Sequence, residues 1–152
     1  MIKKISSSNA REALQVINTS NKEAFRKIIP REYFKDPVLS FEGFLKEFKK
    51  AEFYSYTREG KIIAVSALEI ESDKIGKINW LYVLPHWQRK GIGTILINYL
   101  EKKAKKIGLR ILQLITIEKA IGAVSFYTKL GYHPIRRIKR NWGIDILMEK
   151  EL

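Results

Sequence analysis

Cysteine is absent from the 152 residues, and only two histidines occur. Without thiols the chain forms neither disulfides nor thiolate metal sites, and two isolated histidines do not make a zinc site, so we expect no bound metal. No apolar run reaches the roughly 18 residues that a membrane-spanning helix needs. Residues 1–8 also lack the continuous apolar region of a secretory signal peptide. Together these absences favour a cytoplasmic protein that does not cross a membrane.

Acidic residues are scarce, above all in the second half of the chain. Lys and Arg number 29 against 16 Asp and Glu, which gives a net charge of +13. Residues 1–76 carry 14 basic and 11 acidic side chains, whereas residues 77–152 carry 15 and 5. Three explanations remain open: attraction of a polyanionic ligand, binding of nucleic acid, and a solvated basic surface that only keeps the protein soluble.

The length and the 45% hydrophobic content fit one domain over residues 1–152, and no repeat or Gly/Ser linker divides it. Hydrophobic periodicity and capping residues predict helices over about 9–17, 21–29, 41–48, 92–107 and 121–129. Alternating or continuous apolar runs predict strands over 3–5, 53–57, 61–70, 77–84, 110–117, 135–140 and 144–149. These elements add up to a protein of the α/β (α+β) class, with a mixed central sheet of about seven strands flanked by helices.

One segment combines glycine, positive charge and a helix start. Residues 88–93 read Gln-Arg-Lys-Gly-Ile-Gly and lie between an apolar strand and a long helix. The first turn of a helix carries unpaired N–H groups and the positive end of the helix dipole, which together attract phosphate. Gly91 and Gly93 leave the backbone accessible and tolerate positive φ. We interpret the segment as a diphosphate cradle, although two glycines before a helix are also typical of a tight turn.

A second motif, Ala-x-x-Phe-Tyr-x-x-Leu-Gly-Tyr, occupies residues 123–132. Taken with Leu-Tyr-Val-Leu-Pro at 81–85 and the turn at 88–93, it resembles the GNAT superfamily of N-acetyltransferases. The resemblance is specific over about 75–134, looser over 53–70 and in the C-terminal hairpin, and weak before that. It implies a single-domain GNAT-like fold, with acetyl-CoA as the co-substrate and an amine as the acceptor.

The resemblance also implies roles for individual residues. The pantetheine arm of the coenzyme would lie along Leu81, Tyr82 and Val83 like an added strand, with one N–H facing the thioester oxygen. The backbone that would bind the diphosphate belongs to Gln88, Arg89, Lys90, Gly91, Ile92, Gly93 and Thr94. Tyr127 would be the catalytic acid, because a phenol of pKa about 10 stays protonated at neutral pH and donates to a thiolate whose thiol has a pKa of about 8.5. Without the motif, the sequence favours the simpler interpretation, that Tyr127 is an aromatic residue of an amphipathic helix.

Two positions depart from the family pattern. Lys77 stands where many relatives carry a glutamate base, and Ala120 stands where an asparagine often contacts the coenzyme. Without a strong base, deprotonating an α-amine of pKa near 8 costs about 1 kcal/mol at pH 7, against about 4–5 kcal/mol for a lysine amine. We therefore expect the acceptor to be an α-amine or a weakly basic small amine.

Three functions stay open on the sequence. The first is an N-acetyltransferase that moves an acetyl group from acetyl-CoA to a protein α-amine or a small amine by direct attack. The second is a basic nucleic-acid-binding module on the same fold. The third is a coenzyme A sensor without turnover, which the missing glutamate favours. The sequence does not distinguish a monomer from a homodimer.

Overall fold

A computed structural model describes all residues from Met1 to Leu152. The strands are β1 Ile2–Lys4, β2 Ala51–Arg58, β3 Lys61–Ile70, β4 Ile75–Val83, β5 Ile111–Ile117, β6 His133–Lys139 and β7 Ile144–Glu151. The α-helices are α1 Ala10–Phe25, α2 Phe41–Lys50, α3 Ile92–Lys106 and α4 Ile121–Lys129. All seven strands form one mixed sheet in the order β1-β2-β3-β4-β5-β7-β6. The predicted seven-stranded mixed sheet flanked by helices is thus confirmed.

Hydrophobic side chains form a core on each face of the sheet. On one face, α1 and α2 cover a cluster in which the rings of Phe44 and Phe53 lie 5.0 Å apart. On the other face, α3 and α4 cover a cluster that includes Leu100 and Leu112, both fully buried. Because successive strand side chains point to opposite faces, the unbroken run of buried residues from Ile62 to Leu68 shows that the interior strand β3 is covered on both sides. None of the helices is long and apolar enough to cross a membrane.

The first helix differs from the prediction. One continuous helix, α1, replaces the two helices that we predicted over 9–17 and 21–29. Two asparagines near the junction of the predicted helices find tertiary partners: Asn18 Nδ2 donates to the Leu39 carbonyl at 2.9 Å, and Asn21 Oδ1 accepts from the Tyr82 hydroxyl at 2.9 Å. Residues of low helix propensity therefore stay helical, because packing and these hydrogen bonds outweigh the propensity.

The sheet opens between the parallel strands β4 and β5. The two strands pair only at residues 75–77 of β4 and 111–113 of β5. Further along, β4 carries a bulge: Val65 and Ala67 of β3 oppose Tyr82 and Asn79, so β4 has one extra residue in this interval. Trp80 lies inside the bulge with a φ of +57°. A bulge bends its strand and increases the local twist, so β4 leaves β5 and a cleft opens between them.

Candidate active site

A first cleft of about 520 Å³ lies between the end of β4 and the start of α3, and we call it the helix cleft. Nine of the ten residues predicted to contact the coenzyme line it, together with Tyr127. They are Leu81, Tyr82, Val83, Gln88, Arg89, Gly91, Ile92, Gly93 and Thr94. Lys90 does not line the cleft. The fold thus brings the strand end, the glycine turn and the α4 tyrosine to one place.

Unpaired backbone donors concentrate at the start of α3. None of the six amides from residue 89 to residue 94 donates a hydrogen bond within the protein. The loop reaches this arrangement through two positive φ values, +60° at Arg89 and +84° at Gly91, the N-cap residue. The Gln88 side chain fixes the loop to the strand, because its Nε2 donates to the Val83 carbonyl at 2.9 Å. Six free amides at a helix N-terminus form a strong site for an anion.

Gly93 has a different role from Gly91. It lies inside the first turn of α3, where a Cβ atom would come within 3.1 Å of Cζ of Phe126 on α4. The absence of a side chain therefore lets α4 approach the start of α3 closely. This contact places the aromatic pair of α4 in the wall of the helix cleft.

The end of β4 has backbone groups without a neighbouring strand. The Leu84 N–H donates to the Ile63 carbonyl at 2.9 Å. Since antiparallel residues alternate in direction, the N–H and C=O of Val83 point away from β3, toward the side from which β5 has separated. The carbonyl already accepts from the Gln88 side chain, so the N–H is the Val83 group that faces the open edge. An extended ligand with amide groups fits this edge as an added strand does.

Tyr127 lies on α4 and is half-buried beside this edge. Its ring packs against Phe126 and Tyr132, with ring centroids 5.1 Å and 6.1 Å away. The hydroxyl has no hydrogen-bond partner in the protein. Burial, and secondarily the nearby Tyr82, raises the pKa of the Tyr127 phenol well above its ordinary value. The group is therefore protonated at neutral pH, and its O–H has no competing acceptor.

A second cleft of about 320 Å³ lies between the separated parts of β4 and β5, and we call it the sheet cleft. Its lining includes Asn79, Trp80, Thr116 and Trp142. The two clefts share five lining residues, which are Phe25, Leu81, Tyr82, Ala123 and Tyr127. They therefore meet beside the Tyr127 side chain, so that ligands in the two clefts would approach each other there.

The sequence from residue 14 to residue 132 matches the Acetyltransferase (GNAT) family. The chain belongs to this family. The predicted family membership is therefore confirmed.

Two curated relatives match shorter segments. An uncharacterized N-acetyltransferase of Methanocaldococcus jannaschii is 36% identical over 73 residues, which make up 48% of this chain and 32% of that protein. An uncharacterized protein of Bacillus subtilis, YdhI, is 42% identical over 45 residues, which make up 30% of this chain and 28% of that protein. The chain thus spans about a third of the length of these relatives.

Solved structures of acetyltransferases share the whole fold. The PaiA N-acetyltransferase of Thermoplasma acidophilum, in complex with coenzyme A, superposes with a TM-score of 0.88 at 24% identity, covering 100% of this chain and 98% of that one. The ribosomal-protein-S18-alanine N-acetyltransferase of Escherichia coli superposes with a TM-score of 0.82 at 18% identity, covering 99% of this chain and 92% of that one. A GNAT family acetyltransferase of Elizabethkingia anophelis with acetyl-CoA bound superposes with a TM-score of 0.71 at 20% identity, covering 100% of this chain and 97% of that one.

The two departures from the GNAT pattern have clear structural positions. Lys77 lies outside both clefts, with its Nζ 3.8 Å from a carboxylate oxygen of Glu71. Asn79 lines the sheet cleft, and its Nδ2 donates to Glu69 Oε1 at 3.0 Å. Ala120 is buried, 7% exposed, and offers no polar side-chain atom. Strand β4 contains no Asp or Glu, so it supplies no carboxylate at the point where the clefts meet.

Sequence reasoning missed the residues that α1 contributes. Ser20, Ala24 and Phe25 line the helix cleft. The Ser20 hydroxyl is fully buried and has no hydrogen-bond partner. No local signal identified these residues, because α1 precedes the region of specific family resemblance and reaches the cleft only through tertiary packing. Asp145 of the sheet cleft was also missed, because it follows that region, on β7, and reaches the cleft only through tertiary packing.

Proposed function

We propose that this GNAT protein is an N-acetyltransferase that moves the acetyl group of acetyl-CoA to the amine of a second substrate. The supporting observation is the meeting of two clefts at Tyr127, one of which ends at six unpaired amides. One cleft suits a long ligand with a diphosphate, and the other suits an acceptor that approaches the same point from the opposite side.

In this proposal the helix cleft binds acetyl-CoA. The amides of residues 89–94 bind the diphosphate, and the side chain of Arg89 adds positive charge. Leu81, Tyr82 and Val83 border the pantetheine arm where β4 lacks a strand neighbour, and the outward-pointing backbone of Val83 pairs with it. The relatives from T. acidophilum and E. anophelis, solved with coenzyme A and acetyl-CoA, share the fold and support this assignment. The basic excess of residues 77–152 favours the polyanionic coenzyme as well.

The thioester supplies an electrophilic carbonyl carbon. The unprotonated amine attacks this carbon, an N–C bond forms, the C–S bond breaks, and the nitrogen releases a proton to solvent. Tyr127 donates its hydroxyl proton to the departing sulfur and regains one from solvent. Because proton transfer from a phenol of pKa 10 or more to a thiolate is uphill by at least about 2 kcal/mol, we expect Tyr127 to act first as a hydrogen-bond donor to the developing charge.

The acceptor is a protein α-amine or a weakly basic small amine. The supporting observation is the absence of a β4 carboxylate at the point where the clefts meet, since Lys77 lies elsewhere. An amine of pKa near 8 provides enough free base at neutral pH without an enzymatic base.

Calorimetry with acetyl-CoA, followed by thiol release with an amine panel, tests the function. We expect saturable binding and turnover, and a loss of about 10²- to 10⁴-fold in kcat for Tyr127→Phe with little change in acetyl-CoA affinity. Tyr33→Phe is the matched control, because Tyr33 is 43% exposed and lines neither cleft.

Failure has two distinct forms. Binding of acetyl-CoA without thiol release from any amine would favour a coenzyme sensor. No affinity for acetyl-CoA, together with tight and strongly salt-dependent binding of RNA or DNA, would favour a nucleic-acid-binding module.

A further inference from the structure

The sheet cleft contains a single carboxylate, that of Asp145. This residue is the second of β7, is 8% exposed, and pairs with Ile117 at the open end of β5. No other acidic side chain and no basic side chain lines this cleft. One negative charge therefore stands in a wall that is otherwise apolar, aromatic or neutral.

The Asp145 carboxylate has unused acceptor capacity. Arg140 Nε donates to Oδ2 at 2.9 Å across the hairpin turn between β6 and β7. No group of the protein donates to Oδ1, although an ionised carboxylate offers about four acceptor sites. The Arg140 side chain is 42% exposed and the Asp145 side chain only 11%. Solvent therefore screens the charge of Arg140, whereas the Asp145 carboxylate is poorly hydrated. A ligand cation beside this carboxylate would replace some of the missing hydration, so its binding is favourable.

Aromatic residues surround the same space and are held in place. Trp80 Nε1 donates to Glu47 Oε1 at 3.1 Å, and the Tyr82 hydroxyl donates to Asn21 Oδ1 at 2.9 Å. Trp142 lies in the same lining. Aromatic rings attract cations and also bury apolar carbon. The cleft thus combines one anionic group with surfaces suited to a hydrophobic stem.

We propose that Asp145 binds the ammonium form of the acceptor, and that the sheet cleft selects amines with one positive charge on an apolar or aromatic stem. This inference rests on the proposed acetyl transfer and names the class of its acceptor. A second positive charge finds no partner in the lining and meets a protein of net charge +13. An anionic group would lie beside the Asp145 carboxylate and be repelled. Asp145 is a specificity residue, and the amine loses its proton to solvent before it attacks.

Binding to the protein, measured by calorimetry with and without coenzyme A, tests the assignment apart from turnover. The probes are phenylalaninamide, an aromatic α-amine of pKa about 8, its alcohol analogue phenyllactamide, and the polycation spermidine. We expect phenylalaninamide to bind the wild type about tenfold or more tighter than either comparison. In Asp145→Asn this preference over the alcohol disappears, and the KM for phenylalaninamide rises by a similar factor while kcat and acetyl-CoA affinity change little.

Arg140→Gln separates recognition from a structural ion pair. Removing the guanidinium leaves the Asp145 carboxylate without a cation of the protein beside it, so we expect amine binding to be kept or tightened. Equal binding of amine and alcohol to the wild type would overturn the proposal. An unchanged preference in Asp145→Asn, or the same loss in Arg140→Gln as in Asp145→Asn, would overturn it too. None of these results depends on thiol release, whose absence would instead refute the proposed function.

Discussion

Gly91→Ala is a selective test of the α3 N-terminus, because the chain contains a matched control at the other end of the same helix. Gly91 precedes α3 with a φ of +84°, and Gly108 follows it with a φ of +94°. An added Cβ would meet no atom within 4 Å at either position. Each alanine therefore carries only the cost of the left-handed conformation, about 1–2 kcal/mol.

The two variants are expected to lose the same stability and to differ in ligand affinity. For a chain of 152 residues, 1–2 kcal/mol corresponds to a decrease in Tm of about 2–8 °C. In Gly91→Ala, relief of the strain shifts the loop that presents amides 89–94. Loss of one hydrogen bond to a charged phosphate costs about 1.5–3 kcal/mol, which weakens coenzyme A binding about 10- to 100-fold. Gly108→Ala retains wild-type affinity.

Thermal unfolding and calorimetry with coenzyme A measure the two effects on the same samples. Wild-type affinity in Gly91→Ala, at the same loss of Tm as in Gly108→Ala, would refute the view that these amides bind the diphosphate. A comparable weakening in both variants would refute it as well, because the effect would then follow from stability alone.

Two further predictions concern the walls of the helix cleft. Gly93→Ala places a Cβ 3.1 Å from Cζ of Phe126 and should weaken coenzyme A binding several-fold. Adding Phe126→Leu to the same chain should restore the binding. Failure of that rescue would count against a steric clash between the two residues as the cause. The free energy of unfolding should fall above about pH 10, because tyrosines of the unfolded chain ionise there. In the folded chain burial raises the pKa of four of them, Tyr54, Tyr82, Tyr127 and Tyr132, that of Tyr82 to about 12. Phenolate absorbance should show at most three of the seven tyrosines ionising before the chain unfolds, and ionisation of all seven in the folded protein would contradict this.

Local signals predicted the parts of the site that are close together in the chain. Gly91 does precede α3 as its N-cap residue, in the left-handed conformation that favours glycine. Ser40, which precedes the helix predicted over 41–48, caps α2, with its Oγ accepting from the Gly43 N–H at 3.0 Å. Such signals work because a cap, a turn or a helix start depends on neighbours within a few residues.

Features that depend on distant contacts escaped prediction. The continuity of α1 rests on Asn18 and Asn21, whose partners lie on the loop at Leu39 and on β4 at Tyr82. The bulge at Trp80 has no glycine or proline to signal it, yet it separates β4 from β5. In both cases the decisive contacts join residues far apart in the sequence, and single-sequence patterns do not encode such pairs.

The amino-acid sequence by itself therefore determined the strand, glycine turn and helix that present unpaired amides, and the motifs that indicate the GNAT family. Their chemistry is local: a helix start exposes its N–H groups wherever the helix packs. Only the tertiary structure decided which side chains line the helix cleft and the adjoining sheet cleft. Helix α1 contributes Ser20, α4 contributes Tyr127 and β7 contributes Asp145. These side chains line adjoining clefts because the sheet, whose strands come from distant parts of the chain, opens at the bulge in β4.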